Sequence, residues 1–182
     1  MHQLTLALYQ PDIPQNAGTM LRACACLGFQ AAIIGPTGFP AADRNFRRAG
    51  MDYLDQLTIS RHISFESFQH WRKSTQQGSQ ARRLILLSTK AEGSYLDLAY
   101  QPDDILMVGR ESAGVPEEVA AASDAVVKIP LTPAARSLNV ALAAAIVMGE
   151  ALRQLDPKAL TAGCKQKFGD TDDLKFRFAP KP

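Results

Sequence analysis

Short apolar runs alternate with helix-spaced segments along this chain. Leu4 to Leu8, Ala31 to Ile34, Leu84 to Leu87, Ile105 to Val108 and Ala125 to Ile129 are each four or five residues long. Most are flanked by Gly, Pro, Asp or Lys, so each is expected to be a strand. Most are also apolar throughout rather than at alternate positions. Strands covered on both faces have that pattern, which predicts an α/β fold with a parallel sheet and helices on each side. Between the runs, Ala17, Met20, Leu21, Cys24 and Leu27 recur at helical spacing. Phe65 to Lys73 and Pro116 to Ala122 are further expected helices, the second opening on proline and two glutamates. A last helix is expected over Asn139 to Leu155, with Ser137 placed to cap it through its hydroxyl. Its run VALAAAIVMG is apolar on nearly all sides and predicts contact with the sheet or a subunit interface. After Asp156-Pro157 the pattern weakens into a mixed-charge tail.

The 182 residues suit one domain, expected over 1–155, with 156–182 as an appendage. At 46% hydrophobic and 21% charged the chain can bury a core, which excludes a disordered or collagen-like protein. Twenty basic residues against 18 acidic ones say little about a partner, but their placement is uneven. Residues 61–90 carry six basic side chains and one acidic, 91–135 two and eight, and 136–182 eight and five. Arg44, Arg47 and Arg48 cluster in DRNFRR, either a solvated face or a contact for an anionic partner. Cys24, Cys26 and Cys164 do not form a disulfide framework, so a reducing cytoplasm is expected. No apolar run reaches the roughly 18 residues of a membrane span, and the first residues lack the features of a secretory signal.

His2, His62 and His70 have no partner at zinc-ligand spacing, so no metal is expected. GRESAG has the two glycines of a phosphate loop, but Val115 and Pro116 replace its Lys and Ser or Thr. Three constellations remain. In QPDIPQNAGTMLRACACLGF, Arg22 points about 160° from the centre of the apolar helical stripe, off the core and near a strand's carboxyl end. In ILMVGRESAGVPEEV, Gly109, Glu111 and Gly114 form a tight loop after a buried strand, where backbone can approach a ligand closely. In VVKIPLTPAARSLNVALAAAIVMGEAL, Asn139 stands in a helix's first turn, where its amide suits a backbone group or a ligand. Each segment taken singly also fits an ordinary α/β domain of the flavodoxin-like kind.

The order and spacing of the three are specific. Asn16-x-Gly18-x-x-x-Arg22, Gly109-x-Glu111-x-x-Gly114-Val115-Pro116 and Ile129-Pro130-Leu131 followed by Arg136-Ser137-Leu138-Asn139-Val140 resemble the SPOUT superfamily of RNA 2'-O-ribose methyltransferases over roughly residues 4–155. YQPDIPQNAG, GPTGFP, RRAGMDY and LLSTK are similar to the wobble-nucleotide (position 34) tRNA 2'-O-methyltransferases of the TrmL type. The resemblance implies a C-terminal deep trefoil knot, a cytoplasmic homodimer with a substrate groove built from both subunits, and 2'-O-methylation of cytidine or modified uridine at tRNA position 34, foremost in leucine tRNAs. It implies S-adenosyl-L-methionine as cofactor, held by Leu87, Ser88, Thr89, Gly109, Glu111, Gly114, Ile129, Leu131, Ser137 and Leu138. The catalytic set it implies is Arg22, Asn16 and Asn139. Arg22 matches an arginine described in the family as a base activated by an RNA phosphate. A guanidinium is a permanent cation, so the alternative is that Arg22 holds the phosphate and stabilises developing alkoxide charge. RNA contacts are expected from Arg44, Arg47, Arg48, Lys90, Arg136 and Arg153, with further lysines available in the tail.

Two positions depart from the family pattern: Ala141 where relatives often carry serine, and Gly149 where an aromatic commonly precedes the Glu-Ala pair. The first removes a hydroxyl expected on the substrate side, and the second loosens the expected dimer helix. Methylation of another tRNA or ribosomal RNA position, and a silent RNA-binding module, are the alternative functions.

Overall fold

The computed structural model describes residues 4–50, 53–54, 57–74 and 81–157. The expected tail and its Lys158, Lys165, Lys167, Lys175 and Arg177, like His2 and Cys164, lie outside the described residues. The elements in order are β1 (Thr5–Tyr9), α1 (Pro14–Leu27), β2 (Gln30–Ile34), α2 (Arg44–Gly50), β3 (Ile59–His62) and α3 (Phe65–Ser74). Then follow β4 (Leu84–Leu87), β5 (Gly93–Ser94), β6 (Ile105–Val108), α4 (Glu117–Ala121), β7 (Ala125–Lys128) and α5 (Val140–Leu155). The strands form one seven-stranded sheet, order β3-β2-β1-β6-β4-β7-β5, with every pairing parallel.

The sheet is covered on both sides, as the unbroken apolar runs require. On one face Leu6, Leu8, Ile33, Ile85 and Leu106 pack with Ala17, Met20, Leu21 and Cys24 of α1 and Ala144, Val147, Met148 and Ala151 of α5. On the other, Ala7, Ile34, Leu84, Leu86 and Met107 meet Phe68 of α3 and Val119 of α4. Burial pushes the Cys24 thiol up to about 12, so this cysteine is a core residue and not a nucleophile. Helix α1 begins at Pro14, whose missing N–H costs nothing in a first turn, and stops at Gly28, whose φ of 73° is left-handed and whose N–H bonds Cys24 O.

Three expectations change. The last helix starts at Val140, and Asn139, not Ser137, caps it: Asn139 Oδ1 accepts from Ala141 N at 2.9 Å and Leu142 N at 3.3 Å. Pro116 sits at the N-cap of α4, outside the helix. Ala141 is buried between α5 and the core, so a hydroxyl there would face the interior and not a substrate. Strands β3 and β5 and helix α2 were not expected from the apolar pattern.

Ion pairs tie down the amino-terminal ends of the strands. Asp104, 1% exposed as a side chain, bonds the Arg83 guanidinium at 2.7 and 2.9 Å, and accepts the Gln101 N–H at 2.8 Å. Asp124 Oδ2 accepts from Arg72 at 2.6 Å and from Leu84 N at 2.7 Å, while Arg82 donates to Thr5 Oγ1 at 2.7 Å. Three of the six cations in the basic stretch 61–90 are therefore engaged in scaffolding, at the sheet edge opposite its carboxyl ends.

Near the end of α5, Glu150 accepts from Arg153 Nε and NH2 at 2.8 Å each and from Gln154 Nε2 at 2.8 Å. The Arg153 hydrogen bonds, followed by that from Gln154, hold the Glu150 carboxyl at about 2 against an ordinary 4.5. A depressed folded value means that the stabilisation is present above about pH 4.5 and lost as pH falls towards 2. Glu150→Gln is therefore expected to melt below the parent at pH 7 and together with it near pH 2, as thermal unfolding followed by circular dichroism would check.

Candidate functional site

The carboxyl ends of β4, β6 and β7 open into a cleft of about 1210 Å³. Ligands in open parallel sheets bind at this edge, where loops rather than paired strands offer backbone groups. All ten residues expected around the cofactor line it: Leu87, Ser88 and Thr89 after β4, Gly109, Glu111 and Gly114 after β6, and Ile129, Leu131, Ser137 and Leu138 after β7. Ala91, Glu92, Gly93, Lys128 and Ala143, which no motif marks in the sequence, line it too.

The β6–α4 loop closes on itself. Arg110 N–H donates to Gly114 O at 2.9 Å and Gly114 N–H returns the bond at 2.8 Å. A Cβ on Gly109 would stand 2.6 Å from the Gly114 carbonyl carbon, and Gly114 has φ +68°, so both glycines are required by the turn. Leu86, Val108, Val126 and Ile129 give the cleft apolar wall, and Glu92, Glu111, Glu117, Lys90, Arg110 and Lys128 line it with charges of both signs. Apolar surface with charges of both signs fits a ligand carrying an adenine ring, a cationic centre and an amino-acid end, which is the make-up of S-adenosylmethionine.

Side chains from α1, the β6–α4 loop and the N-cap of α5 meet where they line the cleft. Asn16, in the first turn of α1, donates from Nδ2 to Glu111 Oε1 at 3.2 Å. Asn139 donates from Nδ2 to Asn16 Oδ1 at 3.0 Å while its own oxygen caps α5. The amide of Asn139 thus serves a backbone terminus and a second side chain together, which accounts for asparagine at a helix start. Glu111 is raised above the ordinary carboxylate range, first by burial and then by Asp12 beside it. Asp12 is held down at about 2, chiefly by Glu111, with the Ser112 hydroxyl and backbone N–H groups adding to the effect.

Arg22 is placed differently. It lies on the exposed side of α1, as its helical phase predicts, with its guanidinium carbon 5.2 Å from the centre of the Tyr53 ring. It is not among the residues lining the cleft. Gly18, one turn earlier on the same side, lets α2 approach: a Cβ there would stand 2.5 Å from Phe46 O and 2.7 Å from Ala49 Cβ. Close approach brings Arg44, Arg47 and Arg48, all exposed on α2, to the flank of α1, with Phe46 as the buried anchor. Lys90 is exposed and lines the cleft, Arg136 is exposed on the loop before α5, and Arg153 is exposed while paired with Glu150.

A sequence profile of the SpoU rRNA Methylase family matches residues 3–149. A tRNA (cytidine(34)-2'-O)-methyltransferase from Beijerinckia indica subsp. indica is 67% identical over 150 residues, 82% of this chain and 91% of that protein. A structure solved for insights into the 2-OH methylation of C/U34 on tRNA is 38% identical with a TM-score of 0.79, covering 86% of this chain and 99% of its own. An AdoMet-bound rRNA methyltransferase from Sinorhizobium meliloti is 26% identical with a TM-score of 0.76, covering 85% of this chain and 58% of its own.

Proposed function

Because the chain belongs to the SpoU rRNA Methylase family, we propose from that premise that it methylates the ribose 2'-hydroxyl of the tRNA wobble nucleotide, cytidine or modified uridine at position 34, using S-adenosylmethionine. The observation that carries this reading is the meeting of Asn16, Glu111 and Asn139 beside a glycine-turned cleft, in a chain similar over 82% of its length to a tRNA (cytidine(34)-2'-O)-methyltransferase. Residues 1–155 form the catalytic domain, and 156–182 are an appendage that offers further basic side chains to RNA.

S-adenosylmethionine supplies the activated methyl group when bound. Leu87, Ser88, Thr89, Gly109, Glu111, Gly114, Ile129, Leu131, Ser137 and Leu138 hold it, chiefly through backbone groups and apolar wall. Arg22, a permanent cation, holds an RNA phosphate and stabilises the negative charge growing on the ribose oxygen as its proton passes to solvent. Asn16 and Asn139, bonded to one another at the cleft, orient the hydroxyl. Arg44, Arg47, Arg48, Lys90, Arg136 and Arg153 meet the tRNA backbone. Arg47→Ala and Arg48→Ala are each expected to reduce the slope of log affinity against log salt by roughly 0.7 to 0.9 in filter-binding titrations.

The protein works as a cytoplasmic homodimer whose C-terminal part is knotted. Gln154 supports the knot: it donates to Leu98 O at 3.1 Å and accepts from Tyr100 N at 3.1 Å, tying the segment between β5 and β6 to α5. Exposed Leu142 and Ile146 stand one turn apart on α5 and are available for the dimer contact. A Cβ on Gly149 would meet nothing within 4 Å, so no packing among the described residues requires glycine there. Arg22 lying off the cleft of its own chain supports a groove completed by the second copy. No helix of the described residues is long and apolar enough to cross a membrane.

The purified protein, incubated with methyl-labelled cofactor and separated RNA pools, is expected to label tRNA at nucleotide 34. Label in ribosomal RNA with none in tRNA would overturn the reading.

A further inference from the structure

The loops after β1 and β6 hold one another by their carboxylates. Asp12 N–H donates to Glu111 Oε2 at 3.1 Å, and Glu111 N–H donates to Asp12 Oδ1 at 3.1 Å. Ser112 adds its hydroxyl to Asp12 Oδ2, and the Arg110 guanidinium lies 3.9 Å from the same oxygen. Behind this pair stands the loop after β2: Gly38 N–H bonds Pro11 O at 2.9 Å, and a Cβ on Gly38 would stand 2.8 Å from Asp12 Cα. Asp12 is thus wedged between two loops, and its side chain is only 17% exposed.

The contact is demanding. Bonds from neutral donors to an ionised carboxylate are stronger and shorter than neutral ones, and the reciprocal pattern forms only when both backbones have the observed turn. Two neighbouring carboxyl groups also repel when both are ionised, so each depends on the donors the other loop supplies. The β6–α4 loop is the one that contributes Gly109, Glu111 and Gly114 to the cleft. The β1–α1 loop leads directly into the helix bearing Asn16 and Arg22. Glu111 joins them a second time through Asn16, which continues to Asn139 and the first turn of α5.

We propose that Asp12, which stands in the QPDIPQNAG stretch four residues before Asn16, is a positioning residue: its clasp on the Glu111 and Ser112 side of the β6–α4 loop fixes that loop in its cofactor-holding form and couples occupancy of the cleft to the placement of α1. The proposal rests on the cofactor reading given above. Asp12 touches no reacting atom. It acts through Glu111 on the cleft and through its own chain on the helix carrying Arg22.

Calorimetry with S-adenosylhomocysteine, paired with methyl-transfer kinetics on tRNA, tests it in the full-length protein. Asp12→Ala is expected to bind the probe about tenfold more weakly and to lower kcat by a further factor of about ten, with KM for tRNA within twofold of the parent. Asp12→Asn keeps the Oδ1 acceptor for the Glu111 N–H and is expected to restore probe affinity to within threefold. In a Glu111→Ala background, Asp12→Ala is expected to cause no further loss of affinity, since the partner of the clasp is already gone. Unchanged affinity in Asp12→Ala would overturn the proposal, as would losses that add in the double variant. Failure of the parent protein itself to bind the probe would instead overturn the cofactor reading, so the two failures are distinguishable.

Discussion

Replacing Arg22 with alanine is expected to lower methyl transfer to tRNA by about 10²- to 10³-fold, the range for removing one group that stabilises transition-state charge. Affinity for S-adenosylhomocysteine is expected to stay within twofold, because Arg22 is exposed on α1 and does not line the cleft. The residue sits on the same side of α1 as Gly18, whose missing side chain admits α2 and its three exposed arginines. By location Arg22 belongs with the exposed arginines of α2, which we propose meet RNA, and by its permanent charge it suits the proposed stabilising role. Arg22→Lys keeps the cation and loses the planar two-pronged donor, so it is expected to recover only part of the rate. Single-turnover kinetics with saturating cofactor, beside calorimetry, read both quantities. An equal loss of cofactor affinity would show that Arg22 serves the cleft and not the acceptor.

Asp104→Ala is expected to cost about 3 kcal/mol of stability while leaving the activity of the folded fraction at 25 °C intact. Its carboxylate is almost wholly buried, pairs with Arg83 through two bonds and accepts a backbone N–H from Gln101. Removal leaves a partly buried guanidinium and that N–H without their acceptor, and both lose the full benefit of a satisfied site. In a chain of this length each kcal/mol moves the melting temperature by about 2–4 °C, so a fall of roughly 6–12 °C is expected by calorimetry. The pair lies at the amino-terminal edge of the sheet, away from the cleft at the carboxyl ends of β4, β6 and β7. That separation is why stability and activity part company here, whereas substitutions in the Gly109–Gly114 turn should affect both.

The parts of the fold legible in the apolar pattern are those buried on both faces. β1, β4 and β6 are central strands with almost every side chain in the core, so an unbroken apolar run suffices to find them. β3 is an edge strand of sequence ISRH with no fully buried residue, and β5 has two residues, Gly93 and Ser94. Neither carries a hydrophobic signal. Helix α2 went unseen because its seven residues include three arginines, with only Phe46 and Gly50 buried. Its position is set from the other side, by Gly18 of α1, and a glycine in a motif does not announce which helix it admits.

Charge read along the chain was a partial guide. The stretch 61–90 looked like the strongest basic patch, yet Arg72, Arg82 and Arg83 bond to Asp124, Thr5 and Asp104 as part of the scaffold. The arginines left exposed on α2 came from a segment whose charges cancel. At the site, the glycines of the β6–α4 loop are legible in the sequence as a tight turn, whereas the rest of the lining is legible only through the motif resemblance. Asp12 escaped because a carboxylate in a PDIP loop is unremarkable until the fold sets it against Glu111, 99 residues away.

Methylation of the wobble ribose of tRNA is the activity we propose for this chain. Nucleoside analysis of position 34 in tRNA from a strain lacking the protein tests it most directly. Loss of the 2'-O-methyl group, restored by the parent gene and not by Arg22→Ala, is the predicted result. Wobble methylation unchanged in the deletion strain would contradict it.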